Sequence, residues 1–172
     1  MTDRTFIEDG VTYHIGKCVA LLESHEDDLI RLAMDIKGLY PTEAWCRRGV
    51  RHFIETTKQS GLMTVALAIV AEETEDCSRR NKLVGFDYMI IEPSITGYQA
   101  YCNDLIVDAQ YRRRGIATKL VSELTEEAKR REVRFIRRVV DAGSVSQGMY
   151  LTLGHKLCPP SNSYLLWVKP YI

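Results

Sequence analysis

The chain has 172 residues, the usual size of one domain, and a chain of this length can bury about two-thirds of its unfolded surface. The chain has 23 Lys plus Arg and 23 Asp plus Glu. This balance argues against an overall positive electrostatic potential that would attract nucleic acid or anionic lipid. No apolar run reaches the roughly 20 residues of a membrane helix, and the first residues lack the basic start and apolar stretch of a signal peptide. We therefore expect a cytoplasmic protein with no membrane or nucleic-acid partner.

The cysteines and histidines follow no metal-ligand or disulfide pattern. The five cysteines are odd in number and widely spaced, without a CxxC pair, and they are Cys18, Cys46, Cys77, Cys102 and Cys158. The histidines stand on separate segments, at His14, His25, His52 and His155. We expect reduced, mostly buried thiols and no metal site. The sequence also lacks the Gly-x-Ser-x-Gly motif that carries the nucleophile of many serine hydrolases, which argues against that chemistry.

The first third of the chain reads as a strand followed by two helices. Tyr13–Ala20 is short and partly β-branched, and Ser24 after it is a suitable helix N-cap. Between Glu26 and Leu39, apolar residues recur at three- and four-residue steps, which predicts an amphipathic helix that ends near Gly38. Pro41 suits the first turn of a second helix, which runs to the breaker Ser60-Gly61.

The middle of the chain predicts three antiparallel strands. Leu62–Ala71 and Lys82–Ile91 are nearly continuous apolar runs of strand length, with a charged loop between them. The turn Pro93–Gly97 leads into Tyr98–Val107, a third run rich in aromatic and branched residues.

The last third alternates helices and strands. Ala117–Arg131 carries one apolar face, Arg134–Val140 is strand-like, Ser144–Leu153 is helix-like with Gly154 as its cap, and Ser163–Val168 is a closing strand. The predicted order is β-α-α-β-β-β-α-β-α-β. We expect one α/β domain over residues 1–172, with a mixed, mostly antiparallel sheet and flanking helices.

The stretch Arg112–Ala117 joins the third strand of the middle region to the helix that follows it. A helix N-terminus offers unpaired backbone N–H groups and a partial positive charge. Because Gly115 has no side chain, the backbone there can come close to phosphate oxygens, and three arginines add cationic charge beside it. The placement predicts a pyrophosphate-binding turn.

The segment Tyr101–Leu157 resembles the GCN5-related N-acetyltransferase superfamily, whose members bind acetyl-coenzyme A at a (Gln/Arg)-x-x-Gly-x-(Gly/Ala) turn. Arg112, Gly115 and Ala117 match the three fixed positions, and Tyr150 precedes a helix-ending glycine as in the family. The resemblance implies the acyl-CoA N-acyltransferase fold, with a motif core at about residues 98–157, and acetyl transfer to an amine without a metal. It also implies a main-chain and side-chain set that holds the cofactor: Ile106, Val107, Arg112, Arg113, Arg114, Gly115, Ile116, Ala117 and Thr118.

Within the superfamily the chain looks most similar to small polyamine and thialysine acetyltransferases, through the run 104–107 followed by Tyr111-Arg112. Three positions depart from the family. Asn103 stands where the polyamine enzymes often carry glutamate, Gly143 where asparagine is frequent, and His155 where phenylalanine is frequent.

The resemblance gives Tyr150 as the acid that protonates the leaving thiolate, whereas its sequence alone equally fits an aromatic anchor of the last helix. Asp104 lies two residues before Ile106, on the same face by period-two alternation, and can serve as base or bind a cationic substrate. Its alternative role is an ion pair with an arginine such as Arg137, and Glu92 is a reserve base.

Three functions remain open from the sequence. The first is an N-acetyltransferase for a small-molecule or peptide amine, with helices from Ser24 to Ser60 walling an acceptor pocket that can use Tyr40, Glu43 or Trp45. The second is a non-catalytic coenzyme A sensor or assembly module. The third is recognition of nucleic acid or protein by the basic stretch 112–138. An exposed final strand and the family's habits suggest a homodimer.

Overall fold

The computed structural model describes residues 3–36, 41–74, 77–95, 97–140, 144–158 and 163–167. The strands of these residues are β1 (Arg4–Glu8), β2 (Val11–Gly16), β3 (Met63–Glu73), β4 (Arg79–Ser94), β5 (Gly97–Cys102), β6 (Ile106–Val107), β7 (Phe135–Val139), β8 (Lys156–Cys158) and β9 (Ser163–Trp167). The helices are α1 (Val19–Ser24), α2 (Glu26–Met34), α3 (Glu43–Gln59), α4 (Ile116–Arg130) and α5 (Val145–Thr152).

The strands form one sheet in the order β1-β2-β3-β4-β5-β7-β9-β8, with β6 paired to β4 beside this path. All pairs are antiparallel except β5 with β7, which is parallel because α4 crosses over between them. The expected α/β fold with a mixed, mostly antiparallel sheet and flanking helices is confirmed. The structure adds β1, α1 and β8, which are short and carry little periodic signal.

Strand β3 explains why the sheet is covered on both faces. Its residues Met63–Ile69 are all buried, as expected for a continuous apolar run. Ala66 and Ala68 belong to a core cluster with Leu120 and Leu124 of α4, whereas Val65, Leu67 and Ile69 belong to a second cluster with the side chains of α1, α2 and α3. Alternate residues of the strand therefore contact helices on opposite faces.

Several predicted boundaries were wrong. Ser24 is the last residue of α1 rather than a cap, and its Oγ donates to the carbonyl of Leu21 at 3.1 Å. Helix α2 ends at Met34, and the predicted end at Gly38 lies outside the described residues. Helix α3 begins at Glu43, because the Thr42 side chain accepts from the N–H of Trp45 and caps it.

The predicted third strand, 98–107, is broken in two. β5 pairs with β7 from Gln99 opposite Phe135 to Cys102 opposite Arg138, and the chain then leaves β7. After the break at 103–105, the residues of β6 pair with Phe86 and Gly85 of β4. Both halves of the predicted strand pair with β4, but of the two described strands β5 alone also pairs with β7, which opens a wedge between β6 and β7.

The closing strand lies inside the sheet, not at its edge. β9 pairs with β7 on one side and with β8 on the other. The β8–β9 hairpin places β8 at the edge of the sheet, so the expectation of an exposed final strand was wrong. The exposed strand therefore no longer supports a homodimer.

The cysteines have different environments. Cys18, Cys46 and Cys102 are buried, Cys77 is exposed, and all four are free thiols. The side chain of Cys158 lies outside the described residues. None of the described helices is long and apolar enough to cross a membrane.

Candidate active site

The turn between β6 and α4 presents the start of a helix to an open cleft. Gly115 is the N-cap of α4 at φ 80° and ψ −8°, a left-handed conformation that favours glycine, and no side chain caps the helix. A Cβ added at Gly115 would meet no protein atom within 4 Å, so the space in front of the turn is free. The N–H groups of the first turn, from Ile116 to Thr118, have no partner within the helix and can receive an anion.

The cleft in front of this turn has a volume of about 730 Å³. It is lined by Leu105, Ile106 and Val107, by the turn from Arg112 to Thr118 except Arg114, and by Val145, Ser146 and Met149 of α5. The structure therefore places eight of the nine predicted cofactor-binding residues on one cleft, with Arg114 as the exception.

The three arginines of the turn have different contacts. The Nε of Arg112 donates to the carbonyl of Val107 at 3.0 Å. Arg114 lies over the ring of Tyr111, with its guanidinium carbon 4.8 Å from the ring centre, and donates to the carbonyl of Gln110 at 3.1 Å. Arg113, which is exposed and lines the cleft, is left to meet an anion, while the other two arginines shape the turn.

Val107 and Ile106 turn their main-chain groups in opposite directions. Ile106 lies opposite Phe86, and the N–H of Asp108 donates to the carbonyl of Val84 at 2.8 Å. In an antiparallel pair, alternate residues form the ladder, so the main chain of Ile106 faces β4 and that of Val107 faces the cleft. Of the two predicted residues, Val107 is therefore the one whose main chain can meet a ligand in the cleft, while Ile106 contributes its side chain.

A charged network fixes the approach to the turn. Arg31 of α2 pairs with Asp108 at 2.5 Å and donates to the carbonyl of Leu83 at 2.9 Å. Asp108 accepts from the N–H of Gln110 at 3.0 Å, in the short helical turn 109–111. Burial alone would raise the pKa of Asp108, but the Gln110 N–H and the Arg31 guanidinium lower it, which keeps this carboxylate ionised.

Close packing holds α4 against the sheet. A Cβ added at Gly85 would lie 2.9 Å from Cγ2 of Ile116 and 3.1 Å from Cδ1 of Leu120. Glycine at this position of β4 lets the first turn of α4 sit directly over β4, next to the end of β6.

A second pocket, of about 330 Å³, adjoins the first. Side chains of α2 and α3 form one wall, β4 forms the other, and Asp104 lies among them. Ile36 and Ile106 line both pockets, so the two spaces lie side by side. Asp104 and Ile106 thus share a pocket as predicted, although the strand is broken between them.

The Asp104 carboxyl is half-buried, and its partner is the hydroxyl of Tyr88. Burial raises the pKa of Asp104 above its ordinary value, and the hydrogen bond from Tyr88 lowers it in part. Burial and the nearby Asp104 carboxylate also raise the pKa of Tyr88, to about 12. Arg137, the alternative partner, instead donates to the hydroxyl of Tyr101 at 3.2 Å.

Tyr150 is buried on the side of α5 that faces β7. Its ring lies 5.2 Å from the guanidinium carbon of Arg138 and 5.2 Å from the ring of His155. Burial raises the pKa of Tyr150 to about 12, against the lowering effect of Arg138, and burial lowers the pKa of His155 to about 4. Tyr150 does not line the cleft, although its neighbour Met149 does.

Two of the other predicted acceptor residues, Glu43 and Trp45, are not at the pocket. Glu43 pairs with Arg47 at 3.0 Å, and Trp45 is 63% exposed, while Tyr40 lies outside the described residues. Glu92 is exposed in the hairpin of β4 and β5. Gly143, one of the departures from the family, lies outside the described residues.

Sequence reasoning missed several lining residues of the second pocket, among them His52, Phe53 and Tyr88. A signal for Tyr88 was present, because Phe86, Tyr88 and Ile90 alternate along β4 and so share one face. His52 and Phe53 follow Gly49 by one helical turn, but which face of α3 meets the pocket depends on packing against the sheet.

Comparison with known proteins identifies the family. A family model described as the acetyltransferase (GNAT) family matches residues 30–155, more than half of the chain. No curated protein matches the chain.

Solved structures share the fold at low sequence identity. NAA60 of Arabidopsis thaliana, in complex with a bisubstrate analogue, is 19% identical with a TM-score of 0.62, over 83% of this chain and 91% of that one. A predicted acetyltransferase of Clostridium acetobutylicum with acetyl-CoA is 21% identical with a TM-score of 0.61, over 87% and 92%. The aminoglycoside acetyltransferase meta-AAC0020, from an uncultured soil metagenomic sample and in complex with trehalose, is 18% identical with a TM-score of 0.62, over 86% and 89%.

The turn Arg112–Thr118, the cleft in front of it and the lining residues of the adjoining pocket, except Leu29, fall within the matched residues. The chain belongs to the GNAT family of acetyltransferases.

Proposed function

We propose that this protein is an acetyl-coenzyme A-dependent N-acetyltransferase that acetylates a primary amine of a small molecule or peptide by direct attack on the thioester. The observation that carries the proposal is that two spaces adjoin each other, with Ile36 and Ile106 lining both. One opens onto the free N-terminus of α4, and the other holds the Asp104 carboxyl.

The first cleft fits the donor, acetyl-coenzyme A. The N–H groups from Ile116 to Thr118 and the guanidinium of Arg113 suit the pyrophosphate, and Gly115 leaves room for it. The outward N–H of Val107 suits a carbonyl of the pantetheine arm, which would add to β6 like a strand, while the Val107 carbonyl already accepts from Arg112. Arg112 and Arg114 hold the turn in shape.

The second pocket fits the acceptor. An alkylammonium group has a pKa near 10, so about 0.1% is neutral at pH 7, and a base must remove a proton before attack. Asp104, which lines the second pocket two residues before the shared residue Ile106, takes that proton directly or through water. The amine nitrogen then bonds to the thioester carbonyl carbon, the carbon–sulfur bond breaks, and coenzyme A leaves as a thiolate that needs a proton.

Tyr150 is our proposed donor of that proton. What supports it is the family resemblance and its protonated state at neutral pH, since burial raises the pKa of its phenol to about 12. The competing role is the packed anchor of α5, which its burial against Arg138 and His155 equally fits.

We also propose that residues 1–172 act as one domain and that the protein works in the cytoplasm. A homodimer stays a prediction from the family alone. The second candidate function is a non-catalytic coenzyme A sensor, favoured by the buried position of Tyr150 away from the cleft.

Thermal unfolding with and without acetyl-coenzyme A, followed by thiol release over a panel of amines, tests the proposal. A ligand at 100 times its dissociation constant stabilises a fold by about 2.7 kcal/mol, which raises the unfolding temperature by several degrees. Stabilisation with amine-dependent thiol release supports the enzyme. Stabilisation without release supports the sensor, and no stabilisation contradicts both.

A further inference from the structure

The lining of the second pocket limits which amines fit it. Most of its described side chains are aliphatic or aromatic, from Leu29, Leu32 and Ile36 on α2 and its end to Phe86 and Ile90 on β4. Among the described lining residues, Asp104 is the one carboxylate, and there is no lysine or arginine. The pocket can therefore neutralise one ammonium group.

Three aromatic rings form the wall next to Asp104. The ring centres of Phe53 and Tyr88 are 4.9 Å apart in an edge arrangement, and those of Phe53 and Phe86 are 5.5 Å apart. Phe86 and Tyr88 are 5.7 Å apart on neighbouring positions of one strand face. Such a wall offers apolar contact to a substituent and ring faces to the ammonium it carries.

We infer that the acceptor is a primary amine with a single positive charge and one apolar substituent, rather than a polyamine or an aminoglycoside. The inference rests on the proposed function. A second ammonium group in this pocket would lose its water without gaining a carboxylate, which is unfavourable. The apolar substituent would instead cover the side chains of α2, α3 and β4. A free monoamine and the N-terminus of a peptide with an apolar first residue share this chemistry.

The test compares matched amines by kcat/KM in the thiol-release assay. Pentylamine and 1,5-diaminopentane have the same chain length and differ in whether the far end is apolar or charged. We expect pentylamine to be better by about tenfold or more, and kcat/KM to rise roughly fourfold for each methylene from ethylamine to hexylamine. A diamine preferred over pentylamine, or no rise with chain length, overturns the inference. 2-Phenylethylamine and a peptide with N-terminal phenylalanine then distinguish the two sources.

A substitution at Thr56 is expected to reverse the preference between the monoamine and the diamine. It lines the pocket from α3 and is exposed, so a larger polar side chain there should not disturb the core. Thr56→Glu adds a second carboxylate at the rim, and we expect it to raise the ratio of diamine to pentylamine kcat/KM by about tenfold. Thr56→Gln, of equal size without the charge, is the matched control. The same ratio in both variants contradicts the assignment.

Equilibrium binding separates the inference from the proposed function. Calorimetry of hexylamine with the coenzyme A-saturated protein should give a negative heat-capacity change, the sign of apolar burial. If no amine is acetylated but hexylamine binds in preference to 1,5-diaminopentane, the enzyme proposal fails and the pocket assignment stands. If neither amine binds and none is acetylated, both fail.

Discussion

The Asp104 carboxyl, between an apolar wall and the Tyr88 hydroxyl, must be ionised to accept a proton. Because burial raises its pKa, activity should be lost as the pH falls through that raised value. Asp104→Asn leaves only the amine molecules that are already neutral, so we expect kcat/KM at pH 7 to fall by about 10²- to 10³-fold and the optimum to move upward.

Rates of thiol release from about pH 5 to 10 test this. His52 lines the same pocket and carries the imidazole among its described lining residues, so His52→Gln is the control, which should keep the acidic limb. An unchanged pH profile in Asp104→Asn would leave Asp104 a substrate-binding residue.

Stability provides an independent check on the same residue. A carboxyl whose folded pKa lies above its unfolded value destabilises the fold increasingly as the pH rises between the two values. Asparagine has no such cost and can still accept from Tyr88. We therefore expect Asp104→Asn to be at least as stable as the parent in urea at pH 7, and a clear loss of stability would mean that the carboxylate holds the fold.

Tyr150 can be tested by removal of one oxygen. Tyr150→Phe keeps the ring beside Arg138 and His155 but removes the proton donor. We expect acetyl-coenzyme A binding within about twofold of the parent and kcat lower by about 10²-fold, the usual size of general acid catalysis. Full activity in the variant would show that Tyr150 is a packing residue and remove it from the mechanism.

At the scale of elements, the start of α4 makes the sharpest prediction. A side chain at Gly115 would be strained at φ 80° and would project into the space in front of the helix N-terminus. Gly115→Glu adds an anion where a pyrophosphate should bind, so we expect acetyl-coenzyme A to stop stabilising the protein. Gly61→Glu, also without any atom within 4 Å of its Cβ, is the control, and equal ligand stabilisation in both variants would contradict the placement.

Elements with a strong hydrophobic periodicity were predicted correctly from the sequence. Elements whose bounds depend on contacts with neighbouring strands or helices were not. The apolar run of β3 and the amphipathic α4 were placed within about two residues. The break at 103–105 could not be read from the chain, because Tyr98–Val107 is strand-like throughout. It exists because the chain leaves β7 after Cys102 while β6 stays paired with β4, and the choice of partner strand depends on tertiary contacts.

At the scale of the whole molecule, the site joins residues far apart in sequence. The turn with Gly115 at the start of α4 was predictable because its glycine, arginines and helix are local. The amine pocket was predicted only as a location, since it needs Phe53 of α3, Tyr88 of β4 and Asp104 in one space. Sequence periodicity predicts which face of each element is apolar, but it does not predict which other element packs against that face.

One buried ion pair crosses the sheet behind the wedge. Asp87 of β4 and Arg138 of β7 are 0% and 2% exposed and lie 3.0 Å apart. Burial alone would lower the pKa of Arg138, but the Asp87 carboxylate raises it, so the arginine stays charged. The pair links β4 to β7 beside Cys102, where β5 ends. This makes the ion pair a brace, which holds in place the two strand edges between which the pantetheine arm of the donor should lie.

Removal of one partner should therefore affect both stability and donor binding. Arg138→Met leaves Asp87 buried without a counterion, and we expect the free energy of unfolding in urea to fall by about 3–5 kcal/mol. Asp87→Leu with Arg138→Met removes both charges and should recover most of that loss, yet bind acetyl-coenzyme A more weakly than the parent because the brace is gone. Lys129→Met, which breaks an exposed pair with Glu126 in α4, should change stability by less than about 1 kcal/mol. If the double variant binds acetyl-coenzyme A as tightly as the parent, the ion pair holds the sheet together without shaping the cleft.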